Sequence, residues 1–339
     1  MNRRIFLLGV PLSACAIDRR PRLNVFNWSN YIARNTVSNF EREYNVRVRY
    51  SVYESNEEML AKVMTGNSGW DIVFPTHTRI PPMAHNGLLA TLDHARLPNL
   101  RNLEQQFQSP AWDPSLKHSV PYMWNATGIV YNSSAGAAPE RWADLWMPRW
   151  QGRLTMLDDA EDVLGACLLK LGLSFDSTES TALLRAKAEA VGQKRIVRAY
   201  LNAEVRDQLV SGDVLAAQAW STTAQQAISA ARNLRFVFPQ EGFPLYADNA
   251  VILRESKRAE LAHEFVDYLL RPHVAASIAT EAETATANGA ARQLLPVAVR
   301  ESLTLYPTDD IRRRGIWPQA LSGAAIRMRD RIWTEIKSA

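Results

Sequence analysis

The chain has 339 residues, 47 % of them hydrophobic and 22 % charged, enough for two packed domains of ordinary globular composition. Lys and Arg exceed Asp and Glu by 39 to 35, a formal charge of +4. So small an excess, with no basic run longer than "IRRRG" (311–315), argues against a nucleic-acid-binding protein.

The chain opens "MNRRIFLLGVPLSAC": Arg3 and Arg4, a short apolar run, then small residues leading to Cys15. A helix needs roughly 20 apolar residues to cross a bilayer, so this run reads as an export signal rather than a span. Leu12-Ser13-Ala14-Cys15 resembles a bacterial lipobox, in which the cysteine is acylated and becomes the first mature residue. "RRIFLL" also resembles a twin-arginine export signal. Residues 1–22 are therefore expected to be a signal peptide with lipobox and a short linker. Cys167, the other cysteine, falls in the apolar stripe of a predicted helix and reads as core packing. With Cys15 acylated, no disulfide can form.

From Leu23 onward the hydrophobic periodicity alternates. "LNVFNW" (23–28) reads as a strand, "TVSNFEREY" (36–44) as a helix and "VRVRYSVY" (46–53) as a second strand. "SNEEMLAKVM" opens on a capping box, Ser55-x-x-Glu58, before a helix. "DIVFP" (71–75) is a short apolar strand. A second series starts near 128: strands at "GIVYN" and "RLTML", a helix over "DDAEDVLGACLLKLG", then strands at 214–220 and 234–239. "NAVILR" (249–254) and "RAELAHEFVDYLL" (258–270) repeat strand then helix, and Gln319–Lys337 reads as a terminal helix. Repeated strand–helix–strand units predict an α/β fold with a parallel sheet and helices on both faces. In such sheets ligands lie beyond the carboxyl ends of the strands, which marks Trp28, Thr76, Asp158, Asp159, Trp220 and Asp248.

Catalytic motifs are missing. "GNSGW" (66–70) is not a nucleophile elbow, and the chain holds no P-loop and no G-x-G-x-x-G. The six histidines have no zinc-site spacing, and "DDAED" lacks the Gly and terminal Glu of a calcium loop. No metal, cofactor or enzymatic reaction is expected.

The acidic stretch Asp158, Asp159, Glu161 and Asp162 remains. A helix start accounts for one or two acids through capping and the helix dipole. The core face of this helix is set by Leu164, Cys167, Leu168 and Leu171, which places Asp159 and Asp162 together on the opposite side. Two carboxylates sharing a helix start at a strand end suit a ligand ammonium group. Trp28, Tyr31, Trp220 and Tyr246 fall at strand ends or just beyond, where aromatic faces attract cations, and Asp248 follows Tyr246 by two residues.

"NVFNWSNYIARNTVSNFEREYNVRVRY", "YESNEEMLAKVMTGNSGWDIVFP", "VPYMWNATGIVYN", "RWADLWMPRWQGRL" and "LLRPHVAASIA" together resemble the spermidine/putrescine-binding proteins of bacterial ABC importers. The likeness runs in order from Leu23 to the C-terminus. It implies a type II periplasmic binding protein: two α/β lobes with a hinge and an interlobe ligand cleft. The lobes would comprise 23–127 with 249–297, and 128–248 with 298–339. Matched residue by residue, Trp28 and Ser29 line the cleft with Tyr31 beside them, and Thr76 supplies a hydroxyl. Asp159 and Asp162 hold one amine end, the second more typically Glu. Trp220 is the aromatic wall, Tyr246 and Asp248 match a Trp-x-Asp whose acid grips a further amine, and Gln319 matches a polar end contact with a one-residue shift. Thr78 and Thr284 stand where such proteins often carry tyrosines. The expected protein is a periplasmic monomer, lipid-anchored at Cys15, that passes a linear polyamine to a membrane permease. The alternative is a polyamine-sensing subunit that regulates a membrane receptor.

Overall fold

A computed structural model of the chain describes residues 19–339. The export and lipobox expectations, Cys15 included, lie outside the described residues.

The first series follows the apolar pattern closely. Strand β1 (Arg22–Trp28) buries Leu23, Val25 and Phe26 and pairs in parallel with β2 (Arg47–Tyr53). Helix α1 (Thr36–Tyr44) between them stops at Asn45, whose φ of 52° is the left-handed cap that asparagine tolerates. Helix α2 (Asn56–Val63) starts where the Ser55 side chain accepts the Glu58 amide at 3.2 Å. Glu58 reaches back to the Glu54 amide (3.2 Å), one residue earlier than the expected capping box. Strand β3 (Ile72–Val73) pairs with β1, and a 3-10 turn at 77–79 leads into α3 (Ile80–His85).

Strand β4 (Val120–Asn132) is longer than the predicted "GIVYN", beginning eight residues earlier. Pro121, which lacks an N–H, sits at a register shift that the strand absorbs, so the ladder continues through a position that breaks the sequence pattern. The second series comprises β5 (Leu154–Met156), α4 (Ala160–Lys170), α5 (Ser180–Lys194), β6 (Val197–Tyr200), α6 (Val205–Ser211), β7 (Ala216–Trp220), α7 (Ser221–Ala230) and β8 (Leu234–Val237). Strand β9 (Phe243–Ile252) also exceeds its predicted length. Helices α8 (Ala259–Leu269) and α9 (Pro272–Ala282), strand β10 (Ala285–Thr286), short helices α10 (Gly289–Arg292), α11 (Val297–Arg300) and α12 (Asp309–Arg312), and β11 (Gly315–Ile316) follow. Helix α13 (Gly323–Ser338) ends the chain. It starts later than predicted because the Ser322 side chain caps it, accepting the Ala325 amide at 3.2 Å.

All described strands join one sheet in the order β2-β1-β3-β9-β4-β7-β5-β6, with β8 and β10 also on β4 and β11 on β9. The expected wholly parallel sheet is thereby corrected. Two parallel triplets, β2-β1-β3 and β7-β5-β6, flank an antiparallel centre, β9 against β4. Along β4 the partner changes from β9, through Ala126, to β7 from Thr127. The two long strands thus carry the chain from one triplet to the other. Satellite apolar clusters flank the main core: Phe26, Tyr53 and Trp70 beside β1–β3, and Val205, Leu209 and Val214 beside β7.

Helix α4 is buried along nearly its whole length from Asp162 to Leu169. Gly165 makes this possible, since a Cβ there would lie 2.0 Å from the Phe175 ring. Ala normally stabilises a helix interior by about 1 kcal/mol over Gly. At Gly165 overpacking outweighs this, and Gly165→Ala is expected to destabilise by about 1–3 kcal/mol in denaturant unfolding. In α5, a Cβ at Gly192 meets nothing within 4 Å, so Gly192→Ala should instead stabilise by up to about 1 kcal/mol.

Candidate ligand-binding cleft

The carboxyl ends of β1, β3, β5 and β7 open on one cleft of about 110 Å³, and β9 crosses its floor. Trp28, Ser29, Tyr31, Thr76, Asp159, Asp162, Trp220, Tyr246 and Asp248 all line it. Gln319 does not. It is exposed, its backbone N–H donates to Asp176 Oδ2 (3.1 Å), and its side chain borders a separate cavity.

Asp159 is the N-cap of α4: its Oδ1 accepts the Asp162 amide at 2.9 Å. Asp162 shares the cleft with Asp159, as the helical spacing implied. It is 2 % exposed, within a helix buried from Asp162 to Leu169. Its carboxylate accepts the Trp220 indole N–H (3.0 Å) and the Tyr246 hydroxyl (3.3 Å), so three of the expected site residues form one bonded group. Burial pushes the Asp162 carboxyl well up, and the neighbouring Asp159 carboxylate adds to the rise. Asp159 is raised too, by burial and by Glu57.

Asp248 is 4 % exposed and faces Thr76 across an isolated bridge, accepting the threonine hydroxyl at 2.9 Å. Asn56 fixes that threonine: its Oδ1 accepts the Thr76 amide and its Nδ2 donates to the hydroxyl, at 3.2 and 3.1 Å. Burial raises Asp248 to about 7, opposed by the hydroxyls of Thr76 and Tyr31. Trp28 is oriented by its indole N–H donating to the Phe74 carbonyl (2.7 Å) and by its ring on Tyr53, with centroids 4.7 Å apart. Ser29 donates to Glu54 Oε2 at 2.9 Å, at the edge of the cleft.

Sequence reasoning missed several lining residues. Glu161 is one: burial raises it to about 7, against the lowering effect of Arg79 and with a further rise from Asp159. Arg79, the one lining cation, reaches Glu57 (3.1 Å) and Glu161 (3.7 Å), so its charge is taken up by acids of the protein. Asn125 lies inside β4, and its Oδ1 has no hydrogen-bond partner among the described residues. A polar residue amid the apolar run "YMWNATGIV" was the available signal for it. Thr222 follows Trp220 at the start of α7 and bonds Thr284 at 2.7 Å, leaving Thr284 outside the lining. Counting Glu54, the lining holds five acids against one arginine. Among the described residues no cluster of His, Cys, Asp or Glu is disposed to hold a metal, and no helix is long and apolar enough to cross a membrane.

Residues 35–299 match the family described as bacterial extracellular solute-binding protein. The spermidine/putrescine-binding periplasmic protein of Escherichia coli (strain K12) is 32 % identical over 334 residues, 98 % of this chain and 96 % of the relative. Among solved structures, the spermidine/putrescine ABC transporter substrate-binding protein PotD of Streptococcus pneumoniae superposes with a TM-score of 0.82 at 28 % identity, over 94 % of this chain and 99 % of the other. The TpPotD lipoprotein of Treponema pallidum gives 0.82 at 27 % identity, over 93 % and 99 %. The α/β architecture, the acid-lined cleft and these likenesses agree: the chain belongs to the bacterial extracellular solute-binding protein family, and it is a binding protein with a periplasmic-binding-protein fold, not an enzyme.

Proposed function

We propose that this protein captures a linear polyamine of the putrescine/spermidine class in the periplasm and delivers it to the permease of an ABC importer. The observation that carries this reading is the meeting of Asp159, Glu161, Asp162 and Asp248 with Trp28, Trp220 and Tyr246 in one cleft. Their partners inside the protein are mostly neutral donors, which leaves negative charge for a ligand to neutralise. The cleft, of about 110 Å³, leaves room for a small ligand rather than a macromolecule. The aromatic rings cover the methylenes, and the unpartnered Asn125 Oδ1 supplies an acceptor for an ammonium N–H. The names of the relatives favour delivery to a transporter over the sensing alternative.

The lobes of this reading are 23–127 with 249–297 and 128–248 with 298–339, hinged where β4 and β9 pass between the triplets. Ligand contacts fall to Trp28, Ser29, Tyr31, Thr76, Asp159, Asp162, Trp220, Tyr246 and Asp248, with Thr78 and Thr284 in place of wall tyrosines broadening selectivity. The protein acts as a monomer, held to a membrane by acylated Cys15. Cys15→Ala should leave it unprocessed or released, and partition of the wild type into the aqueous phase of a detergent extraction would refute the anchor.

Calorimetric titration with putrescine, cadaverine, spermidine, spermine and arginine tests the ligand class. Amines should bind and arginine should not; tight binding of arginine alone would overturn the reading. Asp159→Asn or Asp248→Asn should cost about 2–5 kcal/mol of amine affinity, the usual loss when one member of a buried charge pair is removed.

A pH dependence follows from the carboxyls that ionise near 7. Below that value they hold protons that a bound ammonium must expel. Amine affinity should therefore fall about tenfold per such group between about pH 8 and pH 6, with proton release visible as a buffer-dependent binding enthalpy. The folded values lie above the unfolded ones, so the stability these groups contribute is full at acid pH and is lost as pH rises through about 7. The ligand-free melting temperature should drop across that range, and saturating amine should remove the drop.

A further inference from the structure

Beside the 3-10 turn at 77–79 lies a second cavity of about 310 Å³, and Thr78 belongs to the walls of both cavities. The two differ in kind. The cleft is lined by carboxylates, whereas the second cavity has no aspartate, glutamate, lysine or arginine in its walls. Its walls are the rings of Trp112, Trp317 and His77 and three prolines, with Gln106, Ser109 and Gln319 adding uncharged polar groups. The Trp112 and Trp317 centroids are 5.5 Å apart at a 43° tilt, so the indoles touch and form one bent apolar wall rather than two jaws. His77 adds no charge. Its Nε2–H donates to the Pro318 carbonyl (3.0 Å), its Nδ1 accepts the Ala247 amide (3.3 Å), and burial lowers its pKa to about 4.

An ammonium entering this cavity would leave water and meet no carboxylate, whereas a methylene chain or phenyl ring has the paired indoles to lie against. Thr78 itself is 4 % exposed and short, and the His77 ring packs toward Tyr246 of the cleft at 6.1 Å. Thr78 is thus common to the carboxylate-lined space and the uncharged one.

We propose that the two cavities form one continuous site for an amine carrying an uncharged apolar or aromatic arm: the carboxylates hold the ammonium groups, and the arm passes Thr78 to lie on the Trp112–Trp317 wall. This rests on the amine reading above and narrows it to N-substituted polyamines, with Thr78 as the residue that admits the substituent.

The test is calorimetric titration of the mature protein with putrescine and with N-benzylputrescine. Wild type should bind the benzyl derivative about tenfold or more tighter than the parent. Trp317→Ala, outside the cleft, should abolish that advantage and leave putrescine affinity unchanged, which also reports that the variant is folded. Thr78→Tyr, read as the ratio of the two affinities, should lower that ratio about tenfold, and it keeps the test decisive should Trp317→Ala not fold. Putrescine binding with a weaker benzyl derivative, or a benzyl advantage that survives both substitutions, overturns the proposal and leaves the amine reading standing. If neither amine binds, both fall.

Discussion

Taking a carboxylate out of water without a cationic partner costs several kcal/mol, and this protein concentrates that cost in one place. Asp162 and Asp248 are almost fully buried, yet each is answered by indole, phenol or hydroxyl donors instead of by lysine or arginine. Neutral donors orient a carboxylate without cancelling its charge. The remaining imbalance is met by a proton, which is why Asp248 and Glu161 ionise near 7, or by a cation brought from outside. Selectivity for a cationic solute over a neutral one of the same shape follows from this arrangement, since the neutral solute gives the acids nothing.

Arg79 is a cation in the same lining. Its guanidinium lies between Glu57 and Glu161, so it tempers the outer acids and leaves Asp162 and Asp248 alone. Charge within the cleft is thereby graded, from a partly compensated mouth to an uncompensated interior. Aromatic side chains follow the same division. Trp220 and Tyr246 spend their polar atoms on Asp162 and keep their rings for the cleft, while Trp28 spends its N–H on backbone.

The sheet makes this placement possible. Asp159 and Trp220 come from the ends of parallel strands in one triplet, and Trp28 and Thr76 from the other. Strands β4 and β9 run through both and deliver Asn125, Tyr246 and Asp248 from the middle. Residues far apart in sequence, such as Thr76 and Asp248, are hydrogen-bonded as a result.

Much of this was legible before any coordinates. Period-two and period-3.6 patterns located β1, α1, β2 and α8 to within a residue or two, because those elements bury one face and leave the other wet. Strands β4 and β9 were read short because both are buried along their whole length, where alternation disappears and a proline or asparagine mimics a break. The rule that ligands lie beyond strand ends selected Trp28, Thr76, Asp158, Asp159, Trp220 and Asp248 from sequence alone, and all but Asp158, which pairs with Lys337 instead, line one cleft. What sequence could not supply was orientation and long-range company. It put Asp162 beside Asp159 but gave no measure of its burial, which is nearly complete; it grouped Gln319 with the other contacts, where the chain's path past Trp317 puts it at another cavity; and it had no means to pair Arg79 with Glu161 or to set Thr78 between two spaces. Local sequence determines which residues can form a helix, a strand or a cap, because those preferences act over a few bonds. Which carboxylates end up facing one another, and how far from water, is decided only when strands distant in sequence are brought side by side.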